Sequence, residues 1–141
     1  MMPLPALVLD ASVTLAWAFE DEGNAYTDLV LESLAAFKAF VPNIWPLEVG
    51  NALLVAERRG RLNQADSVQF LALLWQLPIV IEAERAELML GEILALAREQ
   101  RLSTYDAAYL HLAMLRGFSL ATNDEVLRQA ATRAGVSLFR E

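Results

Sequence analysis

The apolar positions of the chain form two kinds of segment. Short unbroken runs read as strands buried on both faces; longer stretches with apolar residues three or four apart read as helices. Leu4 to Leu9 predicts a first strand ending at Asp10. Ser12 is placed to cap a helix carried by Leu15, Ala16 and Phe19, which the charged turn Glu20-Asp21-Glu22-Gly23-Asn24 breaks. Tyr26, Leu29, Val30, Leu34 and Phe37 have helical spacing, and Phe40 and Val41 predict a second strand closed by Pro42. Asn43 to Arg59 predicts a long helix with Pro46 in its first turn, Gly50 available for close packing, and Gly60 as its stop.

Asn63 to Leu77 predicts another helix, broken by Pro78, and Ile79-Val80-Ile81 a third strand. Glu84 to Glu99 is helical by composition. Ser103 opens the next helix and Gly117 closes it. Ser119 to Ala121 predicts a strand, Asn123 to Arg133 a helix stopped by Gly135, and Val136 to Phe139 a last strand. Strands alternating with helices predict a three-layer α/β/α domain around a central, mainly parallel sheet. Right-handed crossovers bring the strand C-termini to one edge, where sites form at the reversal of strand order. Without a linker, internal repeat or low-complexity segment, residues 1–141 read as one domain.

Composition changes the picture in three ways. The 141 residues are 56% apolar, enough for a sizeable core and too apolar for a disordered chain. The absence of cysteine excludes disulfides, zinc–thiolate sites and cysteine nucleophiles, and fits a cytoplasmic setting. Met1 to Leu9 lacks a basic leader, and Asp28, Glu32, Lys38 and Pro42 interrupt the long apolar regions, so no secretory signal or membrane span is expected. A net charge of −7 argues against a nonspecific nucleic-acid coat, yet permits a small catalytic contact with a phosphate backbone through a metal. Arg58, Arg59 and Arg61 form the only dense positive cluster, either a solvated helix end or a contact for a partner or phosphate.

Four acids stand where chemistry is plausible: Asp10 after the first strand, Glu48 early in a mainly apolar helix, and Asp106 and Asp124 near later helix starts. Each has a local alternative. Ser103-Thr104-Tyr105-Asp106 and Thr122-Asn123-Asp124-Glu125 both fit capping boxes, Asp10 could cap through a turn, and Glu48 could simply face solvent. If the four converge, their repulsion calls for a hard divalent cation such as magnesium or manganese, which suits phosphodiester hydrolysis. Ser12, Ser103, Thr122 and Asn123 are then candidates for supporting hydrogen bonds, with Asn51 one turn from Glu48. Other chemistries fare worse. His111 is the only histidine and reads as structural or surface; Lys38 is the only lysine and has no surrounding motif. The tyrosines and tryptophans read as core or interface aromatics. No Gly-x-Ser-x-Gly elbow, Walker loop or dinucleotide fingerprint occurs.

Taken in order, Leu7-Val8-Leu9-Asp10-Ala11-Ser12-Val13, Pro46-Leu47-Glu48-Val49-Gly50-Asn51-Ala52-Leu53, Leu102-Ser103-Thr104-Tyr105-Asp106-Ala107-Ala108-Tyr109 and Leu120-Ala121-Thr122-Asn123-Asp124-Glu125-Val126-Leu127 resemble the PIN-domain ribonucleases, specifically the VapC-like toxins of bacterial toxin–antitoxin pairs. The resemblance spans nearly the whole chain. It implies a PIN-like fold, a metal-binding quartet of Asp10, Glu48, Asp106 and Asp124, and polar support from Ser12, Asn51, Ser103 and Thr122. It also implies RNA cleavage with magnesium or manganese, a homodimer, and inhibition by a cognate antitoxin. The segment Val13-Thr14-Leu15-Ala16-Trp17 departs from close relatives in lacking a lysine. Two other functions stay open at this point: a PIN nuclease for RNA maturation or decay without a toxin role, and a noncatalytic interaction domain that keeps the acids as caps.

Overall fold

The computed structural model describes residues 5–140. Four parallel strands, β1 (Ala6–Leu9), β2 (Lys38–Pro42), β3 (Ile79–Glu82) and β4 (Ser119–Ala121), form a sheet in the order β3-β2-β1-β4. The expected three-layer parallel architecture is therefore observed. Leu4, expected in β1, lies outside the described residues. β1 is central, and Leu7, Val8 and Leu9 are fully buried, as an apolar run flanked by two strands requires.

Among the described residues, eight α-helical segments connect and cover the strands. They are α1 (Ala11–Ala18), α2 (Ala25–Ser33), α3 (Trp45–Arg58), α4 (Gln64–Leu74), α5 (Ala86–Leu88), α6 (Leu94–Gln100), α7 (Thr104–Arg116) and α8 (Glu125–Arg133). The chain builds outward from β1 through β2 to β3, then crosses back to lay β4 on the other side of β1. That reversal opens a crevice between the C-terminal ends of β1 and β4. α7 packs on β1, β2 and β4 through Tyr109, Leu110, Leu112 and Ala113, all buried. Beneath α1, the buried Trp45 indole donates to Thr14 Oγ1 at 3.0 Å, so the start of α3 is pinned to α1. Among the described residues, no helix is long and apolar enough to cross a membrane.

Several local expectations are corrected. α2 ends at Ser33, not Phe37; the chain turns at residues 34–36, where Phe37 leaves the helix to meet Phe139 edge-on at 5.2 Å and Lys38 enters the sheet. The helix expected from Glu84 to Glu99 is interrupted by a π-helical turn, Met89–Ile93, that contains Gly91, the poorest helix former in the stretch. Val136 to Phe139 forms no strand. β4 is only three residues long and supports a single parallel bridge, Leu120 to Leu138, while the Tyr26 hydroxyl draws the Phe139 carbonyl aside at 2.8 Å. Gly50 makes no close packing: it is exposed, and a Cβ added there meets nothing within 4 Å.

Two substitutions test this account by chemical denaturation. Gly50→Ala is expected to stabilise the chain by about 0.5–1 kcal/mol, since it removes a helix-interior glycine without a clash. Leu120→Ala, at a fully buried site, is expected to cost about 2–5 kcal/mol.

Candidate active site

The crevice at the strand reversal is built around Asp10. The residue ends β1, its backbone N–H continues the ladder to the Ala121 carbonyl at 3.0 Å, and its side chain lies in a residue only 4% exposed. Two hydroxyls donate to its Oδ2: Ser12 Oγ at 2.6 Å and Thr122 Oγ1 at 2.8 Å. Those same oxygens accept backbone N–H groups, Ser12 from Asn123 at 2.9 Å and Thr122 from Asp124 at 3.1 Å. Each hydroxyl has one proton, already given to Asp10, so the 3.4 Å approach of Ser12 Oγ to Thr122 Oγ1 is a contact and not a further bond. Ser12 therefore does not cap α1 as expected; Asp10 holds the cap position without a capping side-chain bond.

Glu48 sits in the first turn of α3, half-buried, and its Oε1 accepts the Tyr109 hydroxyl at 2.7 Å. Asp106 lies in the first turn of α7. Ser103 Oγ accepts the Asp106 N–H at 3.0 Å, but the Asp106 carboxylate does not reach back to Ser103, so only half of the expected capping box forms. The other expected box is also corrected. The cap of α8 is Asp124, whose Oδ1 accepts from Val126 and Leu127 N–H at 2.9 and 3.2 Å, while the Thr122 hydroxyl is committed to Asp10.

Asp10, Ser12, Glu48, Asn51, Asp106 and Asp124 all line one pocket of about 290 Å³. Thr122 reaches it through Asp10, and Ser103 through the Asp106 backbone. A larger concavity of about 780 Å³ beside Phe19, Arg61 and Phe70 has less reactive chemistry. Its Arg61 guanidinium is already paired with Asp21 at 3.0 Å and stacked 4.4 Å from the Phe19 ring centre. His111 stands apart on α7, buried, with Nε2 3.1 Å from Glu92 Oε2. Tyr109 is the site residue that the aromatic pattern concealed. It was expected as a core or interface ring and is fully buried, yet its hydroxyl serves Glu48. Only the proximity of α3 to α7 reveals this.

The electrostatics follow from crowding like charges in a partly dry crevice. Burial pushes the Asp10 carboxyl up, against the opposing pull of the Ser12 and Thr122 hydroxyls, and the charge of Asp124 adds to the rise. Burial likewise raises Glu48; the Tyr109 hydrogen bond opposes this, and Asp10 and Asp106 reinforce it. Asp106 is raised to about 6, by burial first and then by Asp10 and Asp124. Burial and the charges of Glu48 and Asp10 keep the Tyr109 hydroxyl protonated, hence a donor.

The donor set is all carboxylate, with Asp10 buried and the other three half-buried, and it crowds like charges, which is the chemistry a hard divalent cation compensates. Among the described residues the Asp106 carboxylate accepts no hydrogen bond, and Glu48 accepts one only at Oε1. The carboxylates surround the pocket without closing in: no group of three or more acidic or histidine side chains among the described residues stands in ready-made metal-ligand geometry. The residues present fit such an ion by chemistry and by shared pocket.

This architecture has known counterparts. Residues 7–133 match the PIN domain model, and the chain belongs to that family. It is 28% identical over 123 residues to Ribonuclease VapC3 of Pyrobaculum aerophilum, covering 87% of this chain and 92% of that protein. The crystal structure of PAE2754 from the same organism superposes with a TM-score of 0.67 at 26% identity, over 90% of this chain and 79% of that one.

A carboxyl whose folded pKa is raised binds its proton more tightly in the folded chain. For Asp106 this means stability is lost as pH rises from the ordinary 3.8 to about 6. In chelator, Asp106→Asn is expected to raise the thermal midpoint near neutral pH, with the gap to the parent closing as pH falls toward about 4. A variant that melts lower than the parent near neutral pH would contradict the burial and repulsion that raise Asp106.

Proposed function

We propose that the chain is a metal-dependent endoribonuclease that hydrolyses RNA phosphodiester bonds and acts as the toxin of a toxin–antitoxin pair. The observation that carries this reading is the single pocket lined by Asp10, Glu48, Asp106 and Asp124. The near full-length similarity to a protein named Ribonuclease VapC3 supports the RNA substrate and the toxin role. Asp10, Glu48, Asp106 and Asp124 would hold magnesium or manganese, which would supply Lewis-acid chemistry for phosphodiester hydrolysis.

The chain's own contribution is preorganisation. Ser12 and Thr122 hold Asp10 in one orientation and keep its charge hydrogen-bonded despite burial. Ser103 orients Asp106 through the backbone of the first turn, leaving the carboxylate for the pocket. Asp124 uses Oδ1 to cap α8, which fixes its side chain at the pocket wall. Asn51, exposed on α3 at the pocket wall, is available to hydrogen-bond the RNA backbone. An acidic surface limits nonspecific RNA binding and suits recognition by an antitoxin with a basic segment. A homodimer belongs to the same reading, and Leu47 and Leu90, 71% and 74% exposed, are apolar area for such contacts.

Purified protein is expected to cut structured RNA with Mg²⁺ or Mn²⁺ and to stop on chelation. Asp10→Asn should be inactive, and Thr122→Val should lose about 10–100-fold, the usual effect of removing a partner of a metal-binding side chain. Equal cleavage by Asp10→Asn would remove the mechanism. The toxin role is read separately: expression should arrest growth, Asp10→Asn should not, and co-expression of an adjacently encoded antitoxin should relieve the arrest. Cleavage without arrest would leave an RNA maturation or decay nuclease.

A further inference from the structure

We propose that Tyr109 is a positioning residue for the metal pocket, holding Glu48 against it through a buried hydroxyl; this rests on the four-carboxylate reading above. The contact is short, 2.7 Å to Oε1, and joins helices distant in sequence, α7 to α3. Tyr109 follows Asp106 by three residues and so stands one turn along the same helix. α7 therefore brings one carboxylate to the pocket and also the group that fixes another.

The hydroxyl suits this task. The Tyr109 side chain is fully buried in a packed core, so its oxygen has little freedom to move. A tyrosine hydroxyl can donate one proton, and here that proton goes to Glu48 Oε1. One hydrogen bond thus ties α7 to α3 across the pocket wall. A glutamate side chain has rotamer freedom that must be restricted to hold its carboxylate in one place. The Tyr109 bond restricts it and occupies Oε1, leaving Oε2 without a donor among the described residues.

Calorimetric titration with Mn²⁺ tests the assignment without relying on RNA cleavage. Tyr109→Phe keeps the ring and is expected to weaken Mn²⁺ binding by about tenfold, in the range for groups that orient metal ligands. Tyr26→Phe deletes a comparable hydroxyl bond, to the Phe139 carbonyl at 2.8 Å, and is expected to leave Mn²⁺ affinity unchanged. Parental affinity in Tyr109→Phe, with binding lost in Asp10→Asn, would overturn the role of Tyr109 while the metal pocket stands. Equal weakening by both Phe variants would also overturn it, because the effect would then be general loosening. Parental Mn²⁺ binding that ignores Asp10→Asn would remove the metal pocket and this inference together. If Tyr109→Phe does not fold, ultraviolet difference spectra of a chain with Tyr26 and Tyr105 changed to Phe read the same contact. Mn²⁺ should perturb the remaining tyrosine band, and Glu48→Gln should abolish the perturbation; a band indifferent to the ion overturns the proposal.

Discussion

A carboxylate buried at the end of the central strand must be hydrogen-bonded or neutralised, and the way Asp10 meets that need organises the crevice. Its two hydroxyl donors come from residues 110 positions apart, Ser12 and Thr122. Both also accept amides from the loop that follows β4. The β1–α1 corner and the β4–α8 loop are consequently one hydrogen-bonded unit. Asp124 stands where it does because its own N–H belongs to that unit and its carboxylate caps the helix beginning there.

A parallel sheet explains why the remaining acids meet at the same place. Each strand ends at one edge and feeds the chain toward a helix start, so helix N-termini gather there. Asp10 and Asp124 hold cap positions, and Glu48 and Asp106 lie in first turns. The positive ends of four helices offset part of the repulsion among four carboxylates. Capping and a role in the pocket are therefore not competing descriptions: Asp124 uses one oxygen for the cap and still lines the pocket. Burial first, and then the neighbouring charges, still push Asp10, Glu48 and Asp106 above the ordinary carboxylate range.

Much of this was legible along the chain. The run from Leu7 to Leu9 reads as a fully buried strand because both faces lack a polar residue, and it is one. Gly60 and Gly117 mark helix ends because each adopts a positive φ, 74° and 70°, that costs glycine little. The family resemblance rested on ordered motif segments, and the PIN domain match covers the same stretch. What misled were features whose local pattern had a stronger distant partner. Thr122 and Glu125 have the spacing of a capping box, but the Thr122 hydroxyl goes to Asp10. Phe37 continues a helical period, but Phe139 takes it out of the helix.

The sequence by itself determined the alternation of elements, the parallel sheet, the absence of thiol chemistry and the acids to watch. These depend on periodicity, turn residues and composition, which act over a few positions. Tertiary structure alone decided which partners those acids have. Asp10 meets Thr122 because β4 crosses back beside β1, and Glu48 meets the Tyr109 hydroxyl because α7 packs near α3. A hydrogen bond across 61 residues leaves no local spacing to read, so a tyrosine that looks like core from its neighbours is also part of the site.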